Sequence, residues 1–362
     1  MKKIGLIIIF ILSIASIVFV YNDYFLYKNP ILRVTNIKTT AEDNDAIGEK
    51  VYTQQIKGVI KNGSHKGKKY ELTNTYSESL VYDDKIENHT ELFVEFSEDG
   101  NEINGITGIK RDKYIAILLI IFIDLIIIIA GKKGIKTLIS LFINIGITAG
   151  AILLFMKNIT TTNLLLLFFA VSIIFVVSSL FITNGKSKKT LAAIVSSIVS
   201  LLISFGLSFL FIKLNEENIF IWTMDYIEAV FDYNSYLYVC ILLSGLGAIM
   251  DISITISSAL SELIRKNEKI DRSSLIKSGK EISKDIIGTM INVMLFTCYT
   301  SIIPTVVLAT RNNMNLTTAL DFYGNLELMI VLCNCIGIVL TIPISLFISI
   351  LILKKKEVMK NE

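Results

Sequence analysis

Of 362 residues, 52% are hydrophobic, 19% are charged and only 3 are proline, and the mean hydropathy is +0.62. The apolar residues gather into runs of membrane-spanning length, which excludes a water-soluble globular chain and predicts an all-α polytopic membrane protein with the lipid bilayer as its first partner. A formal net charge of +3 is too small to suggest nucleic acid, and the lysines stand at the ends of the apolar runs, where they set orientation rather than hold a ligand.

Roughly 20 residues cross the hydrocarbon core, and on that measure there are eight spans: 4–22, 114–131, 135–156, 163–183, 189–212, 235–260, 286–310 and 327–353. In the first, Lys2-Lys3 and Ser13-Ile14-Ala15 resemble a cleavable signal peptide. Apolar residues continue through Ile17-Val18-Phe19-Val20, beyond a usual signal core, so residues 1–22 are expected to be a retained anchor.

Residues 23–112 change character. Short alternating stretches at Leu32–Lys38, Val51–Lys61, Lys69–Asn74, Leu92–Phe96 and Ile106–Lys110 are broken by Asn62-Gly63, Asp83-Asp84 and Asp99-Gly100. They predict a small β-rich domain outside the membrane, whose five strands suit an open barrel of the oligonucleotide/oligosaccharide-binding (OB) shape. That shape specifies no ligand. The domain has no Cys, and His65 and His89 lie in no metal-ligand pattern.

A membrane domain of 113–353 and a tail of 354–362 complete the chain. The second span carries a lone acid, Asp124. Lys132, Lys133 and Lys136, then Lys186, Lys188 and Lys189, then the basic connection from Arg265 to Lys284, fall on one side together with Lys2-Lys3 and Lys354-Lys355-Lys356. An even number of spans puts both termini there, and the positive-inside rule makes it the cytoplasm. The opposite connection 214–234 is acidic, with Glu216, Glu217, Asp225, Glu228 and Asp232. Gly185-Lys186-Ser187 ends like a phosphate loop, but Leu180 stands where the loop needs glycine and no strand precedes it.

The sixth span holds the most informative residue. An Asp near the bilayer centre costs about 2.5–3.5 kcal/mol and is by default a functional site. Ser244, Gly247, Asp251, Thr255, Ser258 and Glu262 recur at helical spacing, and such a stripe is expected to point inward, because lipid offers polar groups no partners. The bland alternative is helix–helix adhesion through small residues and hydroxyls. Asp285, Thr289, Asn292 and Tyr299 give the seventh span a matching face beside Gly288.

Pro304 and Pro343 lie inside the last two spans, where each frees a backbone carbonyl. Of the four cysteines, Cys240, Cys298, Cys333 and Cys335, the pair in Cys333-Asn334-Cys335 points to different helix faces and is expected to pack rather than bind metal. The connection 261–285, with Leu263, Ile264, Ile270, Leu275, Ile276 and Ile282 among basic residues, suits an amphipathic helix on anionic lipid or a solvated loop.

The segment Gly247-Ala248-Ile249-Met250-Asp251-Ile252-Ser253-Ile254-Thr255-Ile256-Ser257-Ser258-Ala259-Leu260-Ser261-Glu262-Leu263, with Ser278-Gly279-Lys280-Glu281-Ile282-Ser283-Lys284-Asp285-Ile286-Ile287-Gly288-Thr289-Met290-Ile291-Asn292, resembles the YibE/F-like multipass membrane proteins of bacteria. The resemblance covers essentially the full length and implies an outer β-like segment between the first two spans and a bacterial cell membrane. It implies a transporter-like architecture but no activity. Phe296-Thr297-Cys298-Tyr299 is more polar than the family's usual continuation.

The expectation is a permease for a small polar solute or ion. Asp251 is the binding residue, Asn292, Thr255 and Asp285 support it, and Asp124 is a candidate counterpart. No enzymatic activity, cofactor or metal is expected. The rival is a non-transporting scaffold whose outer domain binds an envelope protein. An intramembrane aspartyl hydrolase is a remote alternative, since Gly245-Leu246-Gly247 is followed by Ala248 rather than Asp.

Overall fold

A computed structural model describes residues 3–44, 50–80, 83–97, 102–157, 163–214 and 233–354. The acidic connection 214–234 and the Lys355-Lys356 tail therefore lie almost wholly outside the described residues. The chain separates into two compact units, Met1–Gly134 and Ile135–Glu362.

The first unit begins with helix α1 (Lys3–Tyr21), a 3₁₀ turn (Asp23–Leu26) and strands β1 (Ile31–Asn44), β2 (Lys50–Ile60), β3 (Lys69–Ser77), β4 (Glu91–Phe96) and β5 (Ile103–Ile109). All five expected strands are present. They form one antiparallel sheet in the order β3-β2-β1-β4-β5, and the edge strands β3 and β5 approach each other so that the sheet nearly closes. Alternation places Leu32, Val34, Ile56, Ile60, Leu72, Leu92 and Val94 inside, joined by Ile86 from a segment without regular structure. Buried Gln54 holds that segment in place: its side-chain amide donates to the Ile86 carbonyl (2.9 Å) and its oxygen accepts from the Ile86 N–H (3.0 Å). Asn62, expected as a turn residue, is buried. It accepts from the Ile31 N–H and donates to the carbonyls of Tyr27 and Asn29, which ties the β2–β3 turn to the entry of β1.

Helix α2 (Asp112–Lys157) is too long to be one crossing, because 46 residues at 1.5 Å each would extend about 70 Å. It is interrupted at Gly131, where φ 56 and ψ −130 turn the chain and suit only glycine. A Cβ at Gly134 would stand 2.5 Å from the carbonyl oxygen of Ile126. Eight residues apart in a continuous helix would be about 12 Å, so the chain folds back on itself here. This turn falls among the lysines that separate the second and third expected spans.

The second unit contains the remainder of α2, then α3 (Leu164–Asn184), α4 (Lys188–Leu214), α5 (Tyr233–Ser244), α6 (Leu246–Lys266), α7 (Arg272–Arg311), α8 (Leu316–Tyr323) and α9 (Asn325–Lys354). The helices α5 and α6 follow each other across Gly245, so the sixth expected span is interrupted there. Among the described residues six helical segments are long and apolar enough to cross a membrane, α5–α6 forming one of them and Ile9–Tyr21 adding a shorter apolar helix. The protein is mostly helical and multi-pass in character. The helices continue through Pro304 and Pro343.

The core of this unit is the mutual packing of α4, α6 and α9. Small residues make the approach possible: Ser253 pairs with Ser345 (3.1 Å) and Ser257 with Ser349 (2.7 Å). On α4, Ser196, Ser197 and Ser200 are fully buried, and their hydroxyls have no hydrogen-bond partner among the described residues. The connection between α6 and α7 departs from expectation. It is neither one amphipathic helix nor a solvated loop, but the end of α6, a turn and the start of α7, which Asp271 caps by accepting from the Ser274 N–H (3.1 Å). Leu263, Ile264, Ile270 and fully buried Leu275 pack into the α6–α9 core, since burial against protein removes more apolar surface than contact with a lipid surface.

Candidate functional site

The face of α6 turned to its neighbours carries Ile249, Ile252, Ser253, Ile256, Ser257 and Leu260. The opposite face carries Gly247, Asp251, Thr255 and Glu262, all exposed, with Ser258 of the same stripe half-buried and Ser244, also exposed, ending α5. This reverses the expected inward orientation of the stripe. Both faces of α6 contain small hydroxyl residues, and the one with four large aliphatic side chains gains more by burial.

The helix α7 behaves alike: Leu275, Gly279, Ser283 and Cys298 are buried, whereas Asp285, Gly288, Thr289, Asn292 and Tyr299 are exposed. A Cβ on Gly279 would lie 3.6 Å from Leu260 of α6, and the two helices run in opposite directions from the turn at 267–271. Counting from that contact at 1.5 Å per residue, Asp251 comes level with Gly288, Thr255 lies close to the depth of Asp285, and Asn292 lies level with Gly247. Two neighbouring helices thus present acids, an amide and bare backbone at a common depth.

The structure does not join these side chains. The Thr255 hydroxyl donates to the Asp251 carbonyl (2.7 Å), and that of Thr289 to the Asp285 carbonyl (3.2 Å), so both hydroxyls are occupied by their own helices. The carboxylates of Asp251 and Asp285 and the Asn292 amide take no hydrogen-bond partner among the described residues. Asp124 belongs to the first unit, where it is half-buried and accepts from the Ser13 hydroxyl of α1 (2.7 Å). Asp124 therefore has a helix-pairing role within that unit.

Polar contacts that sequence reasoning missed lie elsewhere. Buried Asn334 donates to the Ser244 hydroxyl (2.7 Å), and Cys333 of the same tripeptide bonds the Ser208 side chain of α4, so Cys333-Asn334-Cys335 serves helix contact. Asn144 of α2 bonds Ser179 (2.7 Å) and Ser178 (3.2 Å) of α3. Their signal was a single amide in an apolar run. All four cysteines are free thiols, and among the described residues no group of His, Cys, Asp or Glu is placed to hold a metal. A groove of about 1110 Å³ between α4 and α9 is lined by apolar residues such as Leu207, Phe211, Leu332 and Val339. Its lining includes neither Asp251 nor Asp285, though Asp321 and Asn325 stand at its edge, and its mainly apolar wall suits acyl chains.

The largest missed constellation joins the sheet to the two helices of the first unit. Lys110, whose side chain is 0% exposed, donates to Asp23 (2.7 Å) and Asp112 (2.5 Å), with its ammonium 4.8 Å from the centre of the Tyr27 ring. Lys113 donates to buried Glu91 (2.6 Å), which also accepts from the Tyr24 hydroxyl, while Tyr27 donates to Asp112 (2.8 Å). The cluster sits where the chain leaves α1 and enters α2, and it fastens β4 and the end of β5 to both. One oxygen of Glu91 and one of Asp112 remain without a partner among the described residues.

Burial raises the Tyr24 phenol pKa above its ordinary value near 10, and the Glu91 carboxylate adds to the rise. Burial does the same for Tyr27, aided by Asp112. For Lys110 burial acts to lower the pKa, but Asp112 and Asp23 outweigh it and the net shift is upward. Raised values mean that the folded unit favours the protonated forms, so this stability is complete below the ordinary pKa values and lost as pH climbs through the folded ones. Thermal unfolding of the first unit is expected to be insensitive to these groups up to about pH 10 and to weaken above it. Phenols that titrate by ultraviolet absorbance with ordinary values would contradict the cluster.

The comparisons with known proteins divide the chain between the sheet and the helices that follow it. A family model described as YibE/F-like protein matches residues 118–355, and one described as YibE/F family N-terminal domain matches residues 25–110. No curated protein and no solved structure matches the chain.

Proposed function

We propose that this chain, which belongs to the YibE/F-like family, is a secondary permease for a small polar solute or ion, with eight membrane crossings and both termini in the bacterial cytoplasm. The observation that carries the reading is Asp251: an exposed carboxylate without a side-chain partner on a helix of membrane-spanning character. An uncompensated acid at that depth is costly and is retained where it binds something. Asn292, Thr255 and Asp285 support it at similar depth, while Asp124 steadies α1. Eight crossings are supported by α1 and by the turn at Gly131, at which α2 would divide into two spans. The sheet order and its near closure suit an OB-like barrel. No enzymatic step is part of this reading.

The test is thermal stability of the purified chain and of Asp251→Asn across protons, Na⁺, K⁺, Mg²⁺ and Ca²⁺. An ion bound only by the native state at about 100 times its Kd adds roughly 2.7 kcal/mol. Stabilisation by one ion, lost in Asp251→Asn, is the expected result and leads to flux assays in liposomes. A flat response in both proteins removes the site.

One observation favours a second reading. The Lys110 cluster locks the sheet onto α1 and α2, as a scaffold presenting its outer domain to an envelope protein would require. Deleting residues 31–112 would then abolish function, while Asp251 variants would alter stability alone.

A further inference from the structure

The polar face of α6 and α7 is incomplete within one chain. Asp251 and Asp285 are acceptors when ionised, and the hydroxyls beside them already donate to their own backbones. At this depth Asn292 is the side chain with two N–H donors and nothing to give them to. Yet Asp251 and Asn292 do not pair with each other inside the chain, although they project from adjacent helices within about one turn in depth. At Gly247 and Gly288 a Cβ would meet nothing within 4 Å, so both helices offer bare backbone on this face. Such positions let helices in lipid approach closely enough to hydrogen-bond.

We propose that a second copy of this chain covers this face, with α6 of one copy against α7 of its partner, and that the solute site is completed between them. A two-fold axis along the membrane normal preserves depth, so Asp251 faces the backbone at the partner's Gly288. The partner's Asn292 lies one helical turn away, within reach of the carboxylate. The contact is self-complementary and occurs twice. It gives each exposed Asp251 carboxylate an amide partner, brings the partner's Asp285 within one turn on the other side so that the two acids can share a proton or cation, and leaves Gly247 and Gly288 as points of close approach. The inference rests on the reading of Asp251 as the solute or ion site.

The experiment uses full-length protein in native membranes. Chains carrying Gly247→Cys and Gly288→Cys, each with a different epitope tag, are expressed together and treated with a short bis-methanethiosulfonate, which spans the offset of one helical turn between the two positions. The native cysteines serve as the control in each singly substituted sample. The expected result is a two-chain band bearing both tags, present in the mixture and absent from either variant alone. Native mass spectrometry of the unsubstituted protein is expected to show a two-chain particle, and Gly247→Leu to shift it to one chain while the melting curve is retained. Reaction of both cysteines with a water-soluble maleimide without a two-chain band overturns the proposal. So does a one-chain particle. A one-chain particle whose ion response still depends on Asp251 overturns the dimer and leaves the site reading standing. A cross-linked dimer with no ion response refutes completion of a solute site and the site reading with it.

Discussion

Replacing Lys110 by Met is expected to destabilise the N-terminal unit by about 3–5 kcal/mol, the range seen when one partner of a buried ion pair is removed. Lys110 is enclosed by Asp23 and Asp112 at 2.7 and 2.5 Å, and its side chain has no exposed surface, so solvent screening cannot absorb the loss. The variant leaves two carboxylates facing each other, Asp23 almost fully buried and Asp112 partly so. The expected readout is faster hydrogen exchange across β4 and β5, because Glu91 and the end of β5 hang on the same cluster. Adding Asp23→Leu and Asp112→Asn should restore most of the stability. It removes the unpaired charge while keeping an acceptor for Tyr27, and apolar replacement of a whole buried pair is often neutral or favourable. If Lys110→Met alone leaves exchange unchanged, the cluster does not hold the sheet.

That cluster also shows where sequence reading stops. Its members run from Asp23 to Lys113, and each is an ordinary charge in a polar segment until the sheet has folded. The strands themselves were legible, because alternation of the kind seen in β2, where Gln54, Ile56, Gly58 and Ile60 face in, is a local property. The length of β1 was not. Its continuation to Asn44 through Thr39, Thr40 and Ala41 exists because β2 pairs with it, and that pairing leaves no mark in the residue pattern of β1 itself.

On α6 the period of the polar stripe could be read, but its direction could not. Ser253 and Ser257 make the opposite face nearly as compatible with helix contact, and the choice depends on Ser345 and Ser349 of α9. The connection 261–285 was misjudged for a similar reason. Its apolar residues suit lipid and protein equally, and Leu275 is buried because α9 lies beside it. The turn at Gly131, by contrast, was marked by a glycine among lysines between two apolar runs.

Gly337→Leu should have the largest effect on the second unit. A Cβ at Gly337 would lie 2.2 Å from the Ser204 hydroxyl oxygen and 3.0 Å from its Cβ. The hydroxyl can rotate away, but the Cβ cannot, so any larger side chain forces α4 and α9 apart. Overpacking of this kind costs about 1–3 kcal/mol, and here it acts on α4, where the buried hydroxyls of Ser196, Ser197 and Ser200 have no hydrogen-bond partner among the described residues. The same displacement would strain the Ser253–Ser345 and Ser257–Ser349 bonds, because α9 is shared between α4 and α6. A lower melting temperature is expected for Gly337→Leu, with Gly337→Ala between it and the native protein. Pairing Gly337→Ala with Ser204→Gly should recover part of the loss, since the two positions touch and their effects are not independent. A change of less than about 0.5 kcal/mol in Gly337→Leu, the size expected of a surface substitution, would mean that α4 and α9 do not meet at this point.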